Sequence, residues 1–292
     1  MTPLHLIAWF IIRFALVAVG LSISPSWAQP PQGAVTTALP SVSVAEPPSG
    51  TESLAVQWIK VVAPGQGAML AAVARPSGAG PFPTVVLLHG THGFAREYVQ
   101  LAEALAHEGL LAVAACWFSR GSGAGVRFVT PIDCLEAPSQ REASNPATLE
   151  VVDMLVAAAR TLPDARRDAI GLFGHSRGGG AALNYVLSRR DVRAAALNSA
   201  GYDPSALAEL VSQVSTPLLI LHGTADSPAD GGSAFTNVQM ARDFEAALRR
   251  IGKPVEAQYY VGSGHNSLFT SSKQFDDEAK RMAAFFLHNL EN

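Results

Sequence analysis

Three side chains in this sequence have the types and the order for nucleophilic catalysis. Ser176 lies within Gly174-His175-Ser176-Arg177-Gly178, a match to G-x-S-x-G. A serine hydroxyl attacks a carbonyl poorly until a base takes its proton, and that base is itself held by a carboxylate. His265 is the candidate base. Of the histidines after Ser176, it alone follows the last strand-like run within a glycine-rich loop, Gly262-Ser263-Gly264-His265. His222 stands in the turn after an earlier strand and reads as structural. His288 falls on the closing helix, and His175 adjoins the serine too closely to reach its hydroxyl well. The acid belongs just beyond a strand, between Ser176 and His265. Asp226, five residues after Leu221, meets that requirement; Asp230 is the rival four residues on, and Asp203 comes too early. The chemistry of such a set is acyl transfer.

A five-residue glycine motif can arise by chance, so its setting decides its weight. Here an apolar strand, Ala169 to Phe173, runs straight into it, and a small-residue helix opens behind it with Gly179-Gly180-Ala181-Ala182. A tight strand–turn–helix junction needs small residues two places either side of the serine, so that strand and helix can approach closely. The rest of the chain supplies the matching frame. Thr84–Leu88 and Leu110–Cys116 are continuous apolar runs, as expected of strands buried on both faces. Val192–Leu197, Pro217–Leu221 and Val255–Val261 are further strands, and Val56–Val62 with Met69–Val73 reads as a hairpin. Helical patterns fall between them at Ala95–Glu108, Thr148–Leu162, Arg177–Ser188, Asn237–Ile251 and Ser272–Leu290. Such alternation predicts an α/β fold with a mostly parallel central sheet and helices on both faces. A long polar, Gly-rich stretch from Phe118 to Pro146 follows the second buried strand and is expected to help build the pocket.

These motifs, in this order, resemble the α/β-hydrolase superfamily, and within it the dienelactone-hydrolase-like esterases. The residues that carry the resemblance are Leu87-Leu88-His89-Gly90, Gly174 to Gly179, Leu221-His222-Gly223-Thr224-Ala225-Asp226 and Gly262-Ser263-Gly264-His265. The resemblance implies Asp226 rather than Asp230 as the acid. It implies an oxyanion hole from the backbone N–H groups of Arg177 and Thr91, with His92 as the alternative donor. Dienelactone hydrolases proper carry a cysteine nucleophile, and this chain has Ser176, which favours ordinary carboxylic esters over lactones. A serine peptidase or amidase would use the same three residues, and a non-catalytic binding protein on the same scaffold is the rival from another class. The connection from Asn198 to Thr216 is too short for a large cap domain. No cofactor is implied. His89 and His92 stand close together, but no acid or thiol lies at ligand spacing, so no metal site is expected.

Composition and termini narrow the setting. The 292 residues are 48% hydrophobic and 15% charged, which suits one globular domain with a substantial core over 51–292. The formal net charge of -3 offers no basic field for nucleic acid. Residues 1–24 are nearly all apolar, and Ser26-Trp27-Ala28 puts small residues at the -3 and -1 positions of a cut after Ala28. Residues 1–28 therefore read as a signal peptide; as a retained anchor they would carry Arg13 near mid-membrane, at about 2.5–3.5 kcal/mol. Removal leaves no other apolar run long enough to span a bilayer, and predicts a secreted or periplasmic protein. Residues 29–50, rich in Pro, Ser, Ala and Thr, read as a disordered linker. Only Cys116 and Cys134 are present, so a single intrachain disulfide is possible, and an oxidising compartment would preserve it. Oligomeric state is not legible in the sequence.

Overall fold

The computed structural model describes residues 39–63, 65, 67–121, 128–203, 205 and 207–291. The expected signal peptide, 1–28, and the linker as far as residue 38 lie outside the described residues. Nine strands form one sheet: β1 (Ser41–Val44), β2 (Gln57–Ala63), β3 (Gly67–Ala74), β4 (Phe82–Leu88), β5 (Leu111–Ala115), β6 (Ala165–His175), β7 (Ala194–Asn198), β8 (Leu218–Gly223) and β9 (Val255–Tyr260). Their order across the sheet is β1-β2-β3-β5-β4-β6-β7-β8-β9. β1, β2 and β3 pair antiparallel, as does β3 with β5; all pairings from β5 to β9 are parallel.

The linker expected over 29–50 needs correction in its last part. Ser41 to Val44 form β1, with Ser41 opposite Val62 and Val44 opposite Ile59. The Ser-Val-Ser-Val alternation turns Val42 toward the core, and the open edge of β2 supplies backbone partners. The chain beyond is also fastened. Ala45 N–H donates to the Trp58 carbonyl (2.9 Å), and Arg96 donates to the Gly50 carbonyl (2.6 Å) and the Ser53 hydroxyl (2.5 Å).

The helices are α1 (Arg96–His107), α2 (Ala147–Thr161), α3 (Arg177–Ser188), α4 (Leu207–Gln213), α5 (Val238–Arg250), α6 (Ser267–Thr270) and α7 (Ser272–Glu291). α1 packs with α7, α2 with α3, and α4 with α5, so the parallel strands are covered on both faces. β4 and β5 are buried along almost their whole length, as their unbroken apolar runs require. α1 buries Tyr98, Val99, Leu101, Ala102, Leu105 and Ala106, the stripe its periodicity predicts, and Gly109 (φ 103°) ends the turn behind it. Among the described residues between β7 and β8, the one α-helix is the seven-residue α4, and no large cap is built there. No helix among the described residues is long and apolar enough to cross a membrane.

Because the strands from β5 to β9 run the same way, their C-terminal ends share one edge. His89, Cys116, Ser176, Asp226 and His265 all lie just past such ends. The long segment after β5 is held at that edge by buried apolar side chains, Trp117, Phe118, Val129 and Ile132 among them, and by definite bonds. Cys116 and Cys134 are joined in a disulfide, 18 residues apart with Cα atoms separated by 6.5 Å. Thr130 N–H donates to the Glu97 carboxylate (2.9 Å to Oε2), and Ile132 N–H donates to the Phe94 carbonyl (3.0 Å). The closed loop predicts that replacing both cysteines by serine lowers the free energy of unfolding by about 3 kcal/mol. Urea titrations of the wild-type and double-serine proteins measure this, and equal midpoints would deny the bond any stabilising role.

Candidate active site

The site is built on the junction of β6 and α3. Ser176 adopts φ 53°, ψ -115°, a conformation that side-chain-bearing residues rarely hold. Two glycines make room for it. A Cβ at Gly174 would collide with the Gly178 carbonyl, and one at Gly178 would collide with the Leu88 carbonyl at the end of β4. The turn is locked by Ser176 N–H donating to the Asn198 carbonyl (2.8 Å) and Gly180 N–H donating to the Ser176 carbonyl (3.0 Å). The hydroxyl therefore stands at the sheet edge on a rigid base.

The structure brings Ser176, His265 and Asp226 into one hydrogen-bonded run. His265 Nε2 lies 2.9 Å from Ser176 Oγ, and His265 Nδ1 lies 2.8 Å from Asp226 Oδ2. Both His265 and Asp226 are buried. Asp230 does not share this role. Its carboxylate lies over Gly264, and its carbonyl accepts from Asn266 Nδ2 (2.7 Å). Asp226 has further partners: Thr236 Oγ1 donates to Oδ1 (3.0 Å), and His222 Nε2 lies 3.1 Å from Oδ2. Burial works against the Asp226 carboxylate, but the bonds from His222 and His265 outweigh it and hold its pKa below the ordinary value.

His222 is thus more than a strand-end packing residue. Its Nε2 also lies 2.6 Å from the Thr236 carbonyl, so the N–H is shared between that oxygen and Asp226. The available signal was the four-residue spacing from His222 to Asp226, which folds the turn back on itself. His89 packs just past the end of β4. It is buried against Trp117 and Phe118, and burial drops its pKa to about 3. His92 is also kept neutral, with a pKa brought to about 2 by burial and then by the nearby His175. Its Nε2 lies 2.9 Å from the Tyr98 hydroxyl, which accepts from Gly90 N–H (2.8 Å).

Behind His265 runs a second polar chain that the sequence did not announce. Asn198 Nδ2 lies 2.5 Å from Glu278 Oε2, and Asn198 Oδ1 lies 2.6 Å from His175 Nδ1. His175 Nε2 faces Asn266 Oδ1 at 3.3 Å, and the His175 and His265 ring centres are 5.2 Å apart. Burial lowers the His175 pKa to about 3, so this ring has one N–H to give. If Glu278 were ionised, Asn198 would donate to it and accept from His175 Nδ1–H. The bare Nε2 would then face the Asn266 oxygen, acceptor against acceptor. Asn266 cannot turn over, because its nitrogen serves the Asp230 carbonyl. Interchanging N and O in the Asn198 amide leaves every distance unchanged and removes the conflict, provided Glu278 carries a proton. Glu278 O–H then donates to Asn198, Asn198 N–H to His175 Nδ1, and His175 Nε2–H to Asn266. Burial pushes Glu278 up to about 8 against bonds from Gln274 and Asn198, in keeping with the protonated form. Asp277 on its own helix and Tyr260 on β9 are the other titratable groups set against it.

A model of the dienelactone hydrolase family matches residues 69–288, most of the chain. The chain belongs to the dienelactone hydrolase family. The solved dienelactone hydrolase of Klebsiella pneumoniae, itself described as putative, is 19% identical, with 84% of this chain and 98% of that one covered at a TM-score of 0.60. An esterase of Pyrococcus furiosus is 12% identical, covering 86% and 99%, with a TM-score of 0.61. Acetyl xylan esterase 1 of a Thermoanaerobacterium species is 15% identical, covering 85% and 88%, at 0.58. These likenesses establish the α/β-hydrolase fold. No curated protein sequence matches the chain.

Within this dienelactone hydrolase family member, two cavities open beside Ser176. The larger, about 660 Å³, is lined by Thr91 and Arg177 among others; the smaller, about 190 Å³, is lined by Thr91, His92, Arg120, Phe128 and His265. Thr91 and Arg177, the expected oxyanion pair, therefore flank the serine.

Two predictions follow from the carboxylates. Asp226→Asn removes the charge that holds the His265 ring, so turnover should fall by about 10⁴-fold, whereas Asp230→Asn should fall by less than tenfold. Steady-state kinetics of both variants on one ester check the ranking, and equal losses would unseat Asp226. For Glu278, a folded pKa near 8 against an ordinary 4.5 means that the folded state holds a proton that the unfolded state releases. The resulting stabilisation is complete below about 4.5 and is lost as pH rises through about 8. The stability of wild type relative to Glu278→Gln should decline across that window in denaturant titrations. A pH-independent difference would mean that Glu278 is charged inside the fold.

Proposed function

We propose that the protein is a serine hydrolase that cleaves carboxylic esters through an acyl-enzyme on Ser176. The observation that carries this reading is the continuous run Ser176 Oγ–His265–Asp226, at 2.9 and 2.8 Å, on a strained turn at the strand edge. Ser176 Oγ attacks the substrate carbonyl carbon as His265 Nε2 accepts its proton. Asp226 fixes the imidazole with N–H on Nδ1 and stabilises the imidazolium that forms. The oxyanion is held by the peptide N–H groups of Arg177 and Thr91; the former opens the twelve-residue α3, whose positive end adds to the field. His265 then protonates the departing alcohol, and water repeats the sequence on the acyl-enzyme. His222 and Thr236 act through Asp226 as positioning residues. The reaction calls for no cofactor.

We also infer export. The apolar segment 1–24 with its Ser26-Trp27-Ala28 boundary supports this, as does the disulfide between Cys116 and Cys134.

The expected outcome is labelling of Ser176 by a fluorophosphonate probe, and hydrolysis of p-nitrophenyl acetate that Ser176→Ala reduces by about 10⁴–10⁶-fold with the fold intact by circular dichroism. A matched anilide should be cleaved far more slowly. Retention of more than about a tenth of the ester activity in the alanine variant, far above the loss typical of a nucleophile, would remove Ser176 from its role. Faster anilide cleavage would make the protein an amidase.

A further inference from the structure

The two cavities beside Ser176 differ in size, in lining and in their relation to His265. Both include Thr91, Ser176 and Gly231, so they meet at the nucleophile. Among the described residues, His265 lines only the smaller one. This asymmetry fixes the direction of the substrate if Ser176 and His265 act as proposed above, and the inference rests on that reading. His265 Nε2 must reach the leaving oxygen to protonate it. The alcohol therefore departs along the His265 side, through the cavity of about 190 Å³. The acyl carbon, bonded to Ser176 Oγ, turns its substituent the other way, into the cavity of about 660 Å³. The larger volume falls inside the range of small-molecule sites, roughly 300–1,000 Å³, and the smaller falls below it.

The lining of the larger cavity mixes polar and apolar surface in about equal measure. Ser144, Asn145, Thr148, Asn184 and Ser233 supply its polar part beside Trp117, and among the described residues no carboxylate or lysine lines it. Asn184 Nδ2 donates to Asn145 Oδ1 (3.2 Å), which joins the two amides and leaves Asn145 its own N–H donors. Among the described residues, the cation that lines it is Arg177, and it is already engaged. It donates to the Gln140 carbonyl (2.8 Å) and the Ser144 hydroxyl (2.9 Å), and its guanidinium lies 4.9 Å from the Phe118 ring centre and 5.5 Å from that of Trp117. An apolar acyl chain would strip water from several amides and hydroxyls and offer them nothing in return. A neutral group bearing hydroxyls or amides would replace that water bond for bond.

We propose that the substrates are esters of a bulky, uncharged, hydroxyl- or amide-bearing acid with a small alcohol, the acid part occupying the cavity of Asn145, Thr148 and Asn184.

Four probe esters test this on the full-length wild-type enzyme, the fourth being monomethyl adipate, whose acid part ends in a carboxylate. Methyl quinate carries a hydroxylated ring on the acid side, methyl cyclohexanecarboxylate carries a bare ring there, and myo-inositol monoacetate carries the hydroxylated ring on the alcohol side. The expected kcat/KM for methyl quinate exceeds those for the bare-ring and inositol esters by at least about tenfold, since a site built to bond hydroxyls discriminates strongly against analogues that lack them. Asn184→Leu and Thr148→Val should each reduce the preference for methyl quinate over the bare ring. Equal or better turnover of methyl cyclohexanecarboxylate would overturn the polar assignment. Preference for the inositol ester would overturn the orientation. Preference for monomethyl adipate over methyl quinate would show that Arg177 recruits an anion, which also overturns the proposal. Turnover of p-nitrophenyl acetate and fluorophosphonate labelling of Ser176 report the underlying reaction separately. If both are seen without a preference for methyl quinate, only the substrate assignment falls; if neither is seen, the hydrolase reading falls and takes this inference with it.

Discussion

The approach of α3 to the ends of β4 and β6 sets the tolerances for the rest of the site. Gly178 packs against the Leu88 carbonyl and Gly174 against the Gly178 carbonyl, at separations that leave no space for a methyl group. That contact forces the chain to reverse within one residue, and Ser176 takes up the strain at φ 53°. The strain persists because the surroundings over-determine it: the N–H and C=O of Ser176 are both bonded. Once the serine is fixed, the loops after β8 and β9 need only bring a carboxylate and an imidazole to a stationary target. One more close glycine contact serves that end, for a Cβ at Gly223 would strike the Ser263 carbonyl in the loop that carries His265.

Two buried carboxylates near one another show how environment divides a single functional group into opposite roles. Asp226 is surrounded by donors, from His265, His222 and Thr236, and stays ionised despite its burial. Glu278 is more deeply enclosed, and burial raises its pKa to about 8 against the bonds from Gln274 and Asn198. In the proposed reaction the first holds an imidazole that becomes charged. The second anchors a neutral chain whose members, His175 and Asn266, support the loop behind that imidazole. Exchanging their protonation states would leave unpaired groups at both ends.

Much of this was legible in the chain because it rests on local pattern. β4 and β5 announce themselves by unbroken apolar runs, and the Ser176 turn by glycine spacing between a strand and a helix. His265 follows from its position after the last strand; position alone leaves Asp226 and Asp230 open, and the family resemblance points to Asp226. What stayed hidden depends on contacts distant in sequence or on segments too short to show a period. β1 is four residues on an exposed edge, set among prolines. α4 buries only Val211 and spans seven residues, barely two turns. Glu278 meets Asn198 across 80 residues, and a glutamate on an amphipathic helix looks like any other until its partners are known. His222 reads as a strand-end residue because nothing local reveals which way its ring turns.

The disulfide has a bearing on how the enzyme comes into being. Arg120 and Phe128, which line the smaller cavity, lie on the segment closed by Cys116 and Cys134. The sheet and its glycine-built turn depend only on burial and backbone bonds, which any aqueous compartment allows. The wall facing the departing alcohol is fastened by a bond that requires an oxidant. The nucleophile's turn and the wall of the smaller cavity therefore differ in what they require, the second alone calling for an oxidant. A chain kept among reducing thiols would retain the first without the second, so the redox history of a preparation becomes a variable of its leaving-group selectivity.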